Sequence, residues 1–315
     1  MSFINEIIYD VVISCIGSKF INSIVKFAEY SFIEHRVKLE SFTTQETPKS
    51  AFLVLNQTYN ELYFERLLLE IREGNERVFA NIQNKYHGYR KAFIEYLTAH
   101  LTDSDVKFLK SPLLLSCKMG YDDVVLYLVG KWNRLLEYSI SETETPLAEA
   151  CKRGYFDIVK ILVKSEKYRD TGVIGNPDLP IVRACENGYT DIVKFLLTNG
   201  VYRDLYSGFD ASCKNGHTEI VLLLKDKEPK LLQRNGLDVL MSACENGHEE
   251  VVRILLSHNI DSESISLYYP SMNGHLNIVK LLLKAKAQVH ECDINVAEWN
   301  DHEDIVKCLR NHLNL

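Results

Sequence analysis

The sequence predicts an all-α fold: a solenoid of about seven helix pairs behind a helical N-terminal region. Three observations carry this. One phrase is written nearly twice, "ACENGYTDIVKFLL" from Ala184 to Leu197 and "ACENGHEEVVRILL" from Ala243 to Leu256. Its glycine recurs at Gly120, Gly154, Gly188, Gly216, Gly247 and Gly274, at intervals of 34, 34, 28, 31 and 27 residues. Apolar residues on both sides of each glycine fall at helical spacing.

The chain opens on two amphipathic stripes. Ile4, Ile7, Ile8, Val11, Val12, Cys15 and Ile16 form the first, and Gly17-Ser18 breaks it. Phe20, Ile21, Ile24, Val25, Ala28 and Phe32 form the second. Together they read as a helical hairpin. The polar run "SFTTQETPKS", Ser41 to Ser50, reads as a loop and the boundary of a first segment, 1–50. "LLLEIREGNERVFANI" (Leu67 to Ile82) and "RKAFIEYLTAHL" (Arg90 to Leu101) supply further helical pattern in a second segment, 51–110.

From residue 111 to 315 the pattern is regular. Each glycine is followed by a ring, Tyr121, Tyr155, Tyr189, His217, His248 or His275. Apolar pairs such as Ile192-Val193 and Leu196-Leu197 then repeat at i, i+1, i+4, i+5, one face of a helix. Before each glycine a shorter apolar segment ends in a small pair such as Ala184-Cys185. The unit is helix, tight glycine turn, helix. The turn needs a residue that tolerates positive φ. Neither helix can bury its stripe alone, and stacked neighbours can. A seventh copy, "NDHEDIVKCL", puts Asp301 in the glycine's place. Pro270, inside the first helix of its unit, predicts an irregular copy.

These phrases, above all "TPLAEACKRGYFDIVKILV" (Thr145 to Val163), resemble the ankyrin repeat. The resemblance covers 111–315 and extends to a possible degenerate copy near 62–85, with Gly74 at its turn. It implies an ankyrin-type α-solenoid with a helical N-terminal cap. Where that family's "TPLH" opening has histidine, this chain has Leu114, Ala148 and Val182, so the histidine's helix-start hydrogen bonds are replaced or lost. The family repeat is about 33 residues. The two 34-residue intervals can keep full β-turn fingers, and those of 27 and 28 are expected to be trimmed to plain loops. The resemblance implies non-catalytic recognition of one or more proteins, with no cofactor.

Composition narrows the class further. A net charge of −7 argues against a general nucleic-acid binder. No stretch of 18 uninterrupted apolar residues predicts a membrane span, and the first residues show no secretory signal pattern. Five of the eight cysteines, Cys117, Cys151, Cys185, Cys213 and Cys244, share one repeat position. Stacked helices stand on the order of 10 Å apart, too far for a disulfide. They read as reduced, buried packing residues of a cytoplasmic, monomeric protein. Cys213–His217 and Cys244–His248 invite a zinc reading, against which the histidine as a helix-start residue is favoured, and no metal is expected. Cys15 with His35, His87 or His100 lacks the surroundings of an activated thiol, so no catalytic residue is expected.

The expected partner surface is the concave face that the first helices and fingers of such a stack line, together with the finger tips. Glu149, Lys152, Arg153, Arg183 and Glu186 stand at variable positions of the first helices. Two related phrases, "KYRD" and "VYRD", place Tyr168-Arg169 and Tyr202-Arg203 34 residues apart on successive fingers. Tyrosine and arginine are favoured interface anchors. The alternative reading is an adaptor or effector whose N-terminal region docks a second partner or carries an activity of its own. That region is vaguely similar to an F-box, without the usual leucine-proline opening. Divergent ankyrin proteins of this style resemble those of intracellular bacteria and large DNA viruses, which act on host proteins in the host-cell cytosol.

Overall fold

The computed structural model describes residues 19–42, 52–102, 104–105, 112–131, 145–165, 179–202, 205–258 and 265–313. Within them the chain is almost wholly helical, with one two-stranded sheet, as the all-α expectation requires. It divides into two compact units: Met1–Ala150 with Asp157–Gly175, and Cys151–Phe156 with Asn176–Leu315.

The first unit differs from the expected helical cap in detail. The stripe from Phe20 to Phe32 forms two short helices, α1 (Ile21–Phe27) and α2 (Tyr30–Arg36), because Ala28 and Glu29 are extended, with ψ of 150° and 146°. The carbonyls that a continuing helix would have satisfied find another donor: Arg66 gives hydrogen bonds to Val25, Lys26 and Ala28 at 3.2, 3.1 and 3.0 Å. The break leaves Phe20 and Phe27 in solvent, 55% and 83% exposed, while Val25 is buried. The first predicted stripe, with Cys15, lies outside the described residues.

Strands β1 (Val37–Leu39) and β2 (Leu53–Leu55) pair in parallel with Val37 opposite Leu53, where helix was expected. Val37, Leu39, Leu53 and Leu55 are buried in the pair, and the Lys38 ammonium lies over the Phe52 ring, 3.3 Å from its centroid. Helix α3 (Asn60–Arg72) buries Tyr63, Phe64, Leu67, Leu68 and Ile71 on one side. It ends at Gly74, φ 84°, where the Asn75 N–H reaches the Glu70 carbonyl at 2.9 Å. Beyond Gly74 come two 3-10 turns, Glu76–Ala80 and Ile82–Lys85, and then α4 (His87–His100).

Tyr63, Phe64, Tyr89 and Phe93 form a cluster with ring centroids 5.7 to 6.4 Å apart. The Tyr63 hydroxyl accepts from Gln83 at 2.8 Å and from Asn81 at 3.1 Å, and Gln83 in turn accepts from the Leu39 N–H at 2.8 Å. A buried polar chain satisfied in this way costs little and fixes one packing.

The repeats begin against this core. Helix α5 (Pro112–Met119) packs on the turn Glu76–Ala80, and α6 (Asp122–Lys131) packs on α4. Arg90 clasps both carboxylate oxygens of Asp123 at 2.6 and 2.8 Å and lies over the Tyr121 ring. Helix α7 (Pro146–Arg153) is opened by Thr145, whose buried hydroxyl accepts from the Ala148 N–H at 3.1 Å. That supplies a start bond where the family's histidine is replaced by Ala148. Helix α8 (Phe156–Lys164) follows the Gly154 turn. The two full fingers expected after α6 and α8 fall at 132–144 and 166–178, outside the described residues.

The second unit is a plain helix-pair stack. Its pairs are α9 (Leu179–Glu186) with α10 (Thr190–Thr198), α11 (Tyr206–Lys214) with α12 (Thr218–Lys227), α13 (Leu231–Glu245) with α14 (Glu249–Leu256), α15 (Tyr268–Met272) with α16 (Leu276–Lys284), and α17 (Glu291–Trp299) with α18 (Glu303–Leu313). First helices pack on first helices and second on second throughout. The predicted pairs fill the core: Ile192, Val193 and Leu196 are at most 2% exposed, as are Ile220, Val221 and Leu224. Each such side chain contributes about 1.5–3 kcal/mol of burial.

Two repeats depart from the pattern. The 31-residue interval is taken up by α13, 15 residues long, which starts two turns early. Pro270 does not kink its helix. Helix α15 is only 5 residues and Pro270 is its third, where the missing N–H would have had no intrahelical partner.

Candidate functional site

Any surface of this protein is positioned by the turns that lock repeat to repeat. Gly154, Gly188, Gly216, Gly247 and Gly274 all have φ between 74° and 80°. At Gly188 the N–H of the next residue, Tyr189, reaches back to the Ala184 carbonyl at 3.0 Å, and the turns at Gly216, Gly247 and Gly274 repeat this bond. Asp301 takes the same conformation without being glycine, φ 60°, with the His302 N–H on the Ala297 carbonyl at 2.9 Å.

The ring after each glycine serves the neighbouring repeat. His217 Nε2 donates to the Glu186 carbonyl at 3.1 Å, His248 to Lys214 at 2.8 Å, His275 to Glu245 at 3.1 Å and His302 to Met272 at 3.0 Å. The sequence predicts that His217 and His248 help to start their own helices and meet backbone groups nearby. The structure corrects this, since the helices after His217, His248 and His275 have no side-chain cap bond. Each ring also lies against the preceding repeat's glycine: a Cβ on Gly188 would stand 2.7 Å from His217. With Nε2 engaged on a carbonyl, His217 and His248 are held for packing rather than for Cys213 or Cys244.

The thiols are buried. Cys117, Cys151, Cys185, Cys213 and Cys244 are all free and 0% exposed. Burial pushes Cys185 and Cys244 up to about 12 and raises Cys117 and Cys213 as well, so each stays a neutral thiol near pH 7. Among the described residues no group of three His, Cys, Asp or Glu side chains could hold a metal ion.

The candidate partner residues are placed unevenly. Lys152 and Arg153 end α7 and are exposed. Arg183 and Glu186 are half-buried and joined at 2.8 Å, so part of their charge is spent on each other. Glu149 is only 7% exposed and offers a partner little. Tyr202 is half-buried, while Tyr168, Arg169 and Arg203 lie outside the described residues.

Sequence reasoning missed the most exposed residues of this kind in the last two repeats. Trp299 is 79% exposed and Tyr269 41%. A signal was present. Trp299 and Met272 stand two residues before Asp301 and Gly274, the position Glu186 holds before Gly188. In the first unit a shallow groove between α6 and α8 is lined by Leu126, Val129 and Ile161, with Leu126 59% exposed. Among the described residues no helix is long and apolar enough to cross a membrane.

A family model for ankyrin repeats, in three copies, matches residues 131–207 and 209–298. No curated protein matches the chain. The glycine turns, the ring ladder and the paired helices are the structural content of that match, and the chain belongs to the ankyrin repeat family.

Proposed function

We propose that this protein is a non-catalytic recognition module that acts as a monomer in the cytoplasm and binds a partner protein through the exposed side of its first helices and its finger tips. Ankyrin repeats generally mediate protein–protein interactions and are typically non-catalytic. One observation carries the finer reading. Positions that face the stack keep the same residue types through most copies: the cysteine in five, the turn glycine in all but the last, where Asp301 stands, and the Ile/Val pair in every one. Positions two residues before the turn change freely, from Lys152 to Glu186, Lys214, Glu245 and Trp299. A stack needs the first kind of position, and a partner reads the second.

The test is affinity capture with the full chain, followed by measured affinities for whatever is captured. Substituting Lys152→Glu with Arg183→Glu, or Arg169→Glu with Arg203→Glu, is expected to weaken binding by more than roughly tenfold, about 1.4 kcal/mol. Unchanged affinity in both double variants would remove this surface. A second reading, an adaptor whose N-terminal region docks another partner, is favoured by the exposure of Phe20 and Phe27. In the same experiment Phe27→Ser would then lose one set of partners and keep the rest.

A further inference from the structure

The last two repeats expose aromatic surface that stacking does not use. Met272 on α15 and Trp299 on α17 occupy the same repeat position as Glu245 on α13. The three stand on successive rungs, roughly 10 Å apart by helix packing. Tyr269 lies one turn before Met272 on the same helix face. The rungs are tied together: His275 bonds the Glu245 carbonyl and His302 the Met272 carbonyl. The patch is therefore preorganised, which lowers the ordering cost of binding.

Its charge is one-sided. Neither α15 nor α17 contains a lysine or arginine. Glu245, Glu291 and Asp301 are exposed, and among the described residues none of them pairs with a cation. Glu298 is already engaged by Arg310. An indole in solvent on one rung and an unpaired carboxylate two rungs away suit a segment that carries more than one cation along an apolar stretch. One cation is attracted to the ring face and another to the Glu245 carboxylate, and the apolar part between them covers Tyr269 and Met272. An acidic segment would meet like charge.

We propose that this face of α15 and α17 docks a basic, partly apolar segment of a partner protein, with one arginine or lysine side chain laid over Trp299 and a second, about 20 Å along the segment, held by Glu245. The proposal rests on the reading of the protein as a binder, and names a surface and a partner chemistry for it.

The chain has two tryptophans, so in a Trp132→Phe background Trp299 is the sole indole reporter. The full-length protein is titrated with a short peptide of alternating arginine and leucine, and with the same peptide carrying glutamate for arginine. The basic peptide is expected to change Trp299 emission saturably, and its affinity to fall as salt is raised. Because Trp299→Ala removes the reporter, the variants are compared by calorimetry. Affinity should drop roughly tenfold or more in Trp299→Ala and in Glu245→Lys, and far less in Trp299→Phe. Circular dichroism melts check that each variant is folded.

Equal binding of the two peptides, or unchanged affinity in Trp299→Ala and Glu245→Lys, would overturn the proposal. So would a concentration-dependent dimer by sedimentation that Trp299→Ala dissolves, since the face would then serve a second copy. If the basic peptide fails while partner capture still depends on Lys152 and Arg183, this site falls and the binding function stands.

Discussion

At the scale of single residues the turn glycines separate two costs that usually travel together. Gly188 and Gly200 have nearly the same φ, 74° and 69°. Around Gly200 there is open space, whereas a Cβ on Gly188 would run into the His217 ring. Gly200→Ala should therefore show only the left-handed backbone cost, about 1 kcal/mol. Gly188→Ala must also displace the ring and loosen its bond to the Glu186 carbonyl. A total of about 2–3 kcal/mol follows, since a lost hydrogen bond adds on the order of 1 kcal/mol. Urea denaturation of both variants decides it. Equal losses would mean that the ring ladder contributes nothing, and adding His217→Ala to Gly188→Ala should recover part of the difference. The need for glycine was legible in the sequence, because a tight turn is a local demand. The ring's partner was not. His217 bonds a carbonyl 31 residues away, and nothing in the phrase around His217 specifies which repeat it faces.

At the scale of elements, how a helix ends matters as much as its stripe. Helix α10 closes on Gly200, with the Val201 N–H on the Leu196 carbonyl at 3.0 Å. Helix α16 closes in the same way on Lys286, φ 69°, with the Ala287 N–H on the Leu282 carbonyl at 3.0 Å. A lysine there bears the steric cost that glycine avoids. Lys286→Gly is expected to raise stability by about 0.5–1 kcal/mol, with unchanged helix content by circular dichroism. A loss of stability of that size would show that the cap is not left-handed in solution. The second helices were the most legible elements, because Ile/Val and Leu pairs at i, i+4 leave one way to bury them. Legibility failed where the same kind of apolar stripe was cut by a distant group. Nothing between Phe20 and Phe32 announces a break, and the donor that stabilises it, Arg66, is about 40 residues away. The strands at Val37 and Leu53 are three residues each, too short to show alternation. Trp299 was overlooked because a lone large residue at the end of a stripe reads as core, and only its distance from Asp301 marks it as facing outward.

For the whole molecule the repetition multiplies small titration effects into a pH dependence. One cysteine position recurs through the repeats, and burial raises Cys117, Cys185, Cys213 and Cys244 above the usual thiol value of 9.0. A raised value means that the folded protein holds the proton more tightly than the unfolded chain does. The stabilisation is fully present below about pH 9 and is lost as pH rises through the interval up to the folded values, about 12 for Cys185 and Cys244. Each thiol costs about 1.4 kcal/mol for every pH unit in that window, because the unfolded chain gains a thiolate that the folded one cannot form. Lysines and tyrosines also titrate there, so the absolute slope is not diagnostic, but a difference is. Cys185→Ala with Cys244→Ala removes two titrating groups and replaces them with a small apolar residue that can occupy a packed helix interior. Measured by urea denaturation between pH 8 and pH 10.5, the double variant should start less stable and lose stability less steeply, by about 2–3 kcal/mol per pH unit above pH 9. Parallel curves for the two proteins would mean that these thiols meet water in the native state. The row of cysteines would then be reachable by alkylating reagents without unfolding, contrary to a stack whose repeats bury that position one against the next.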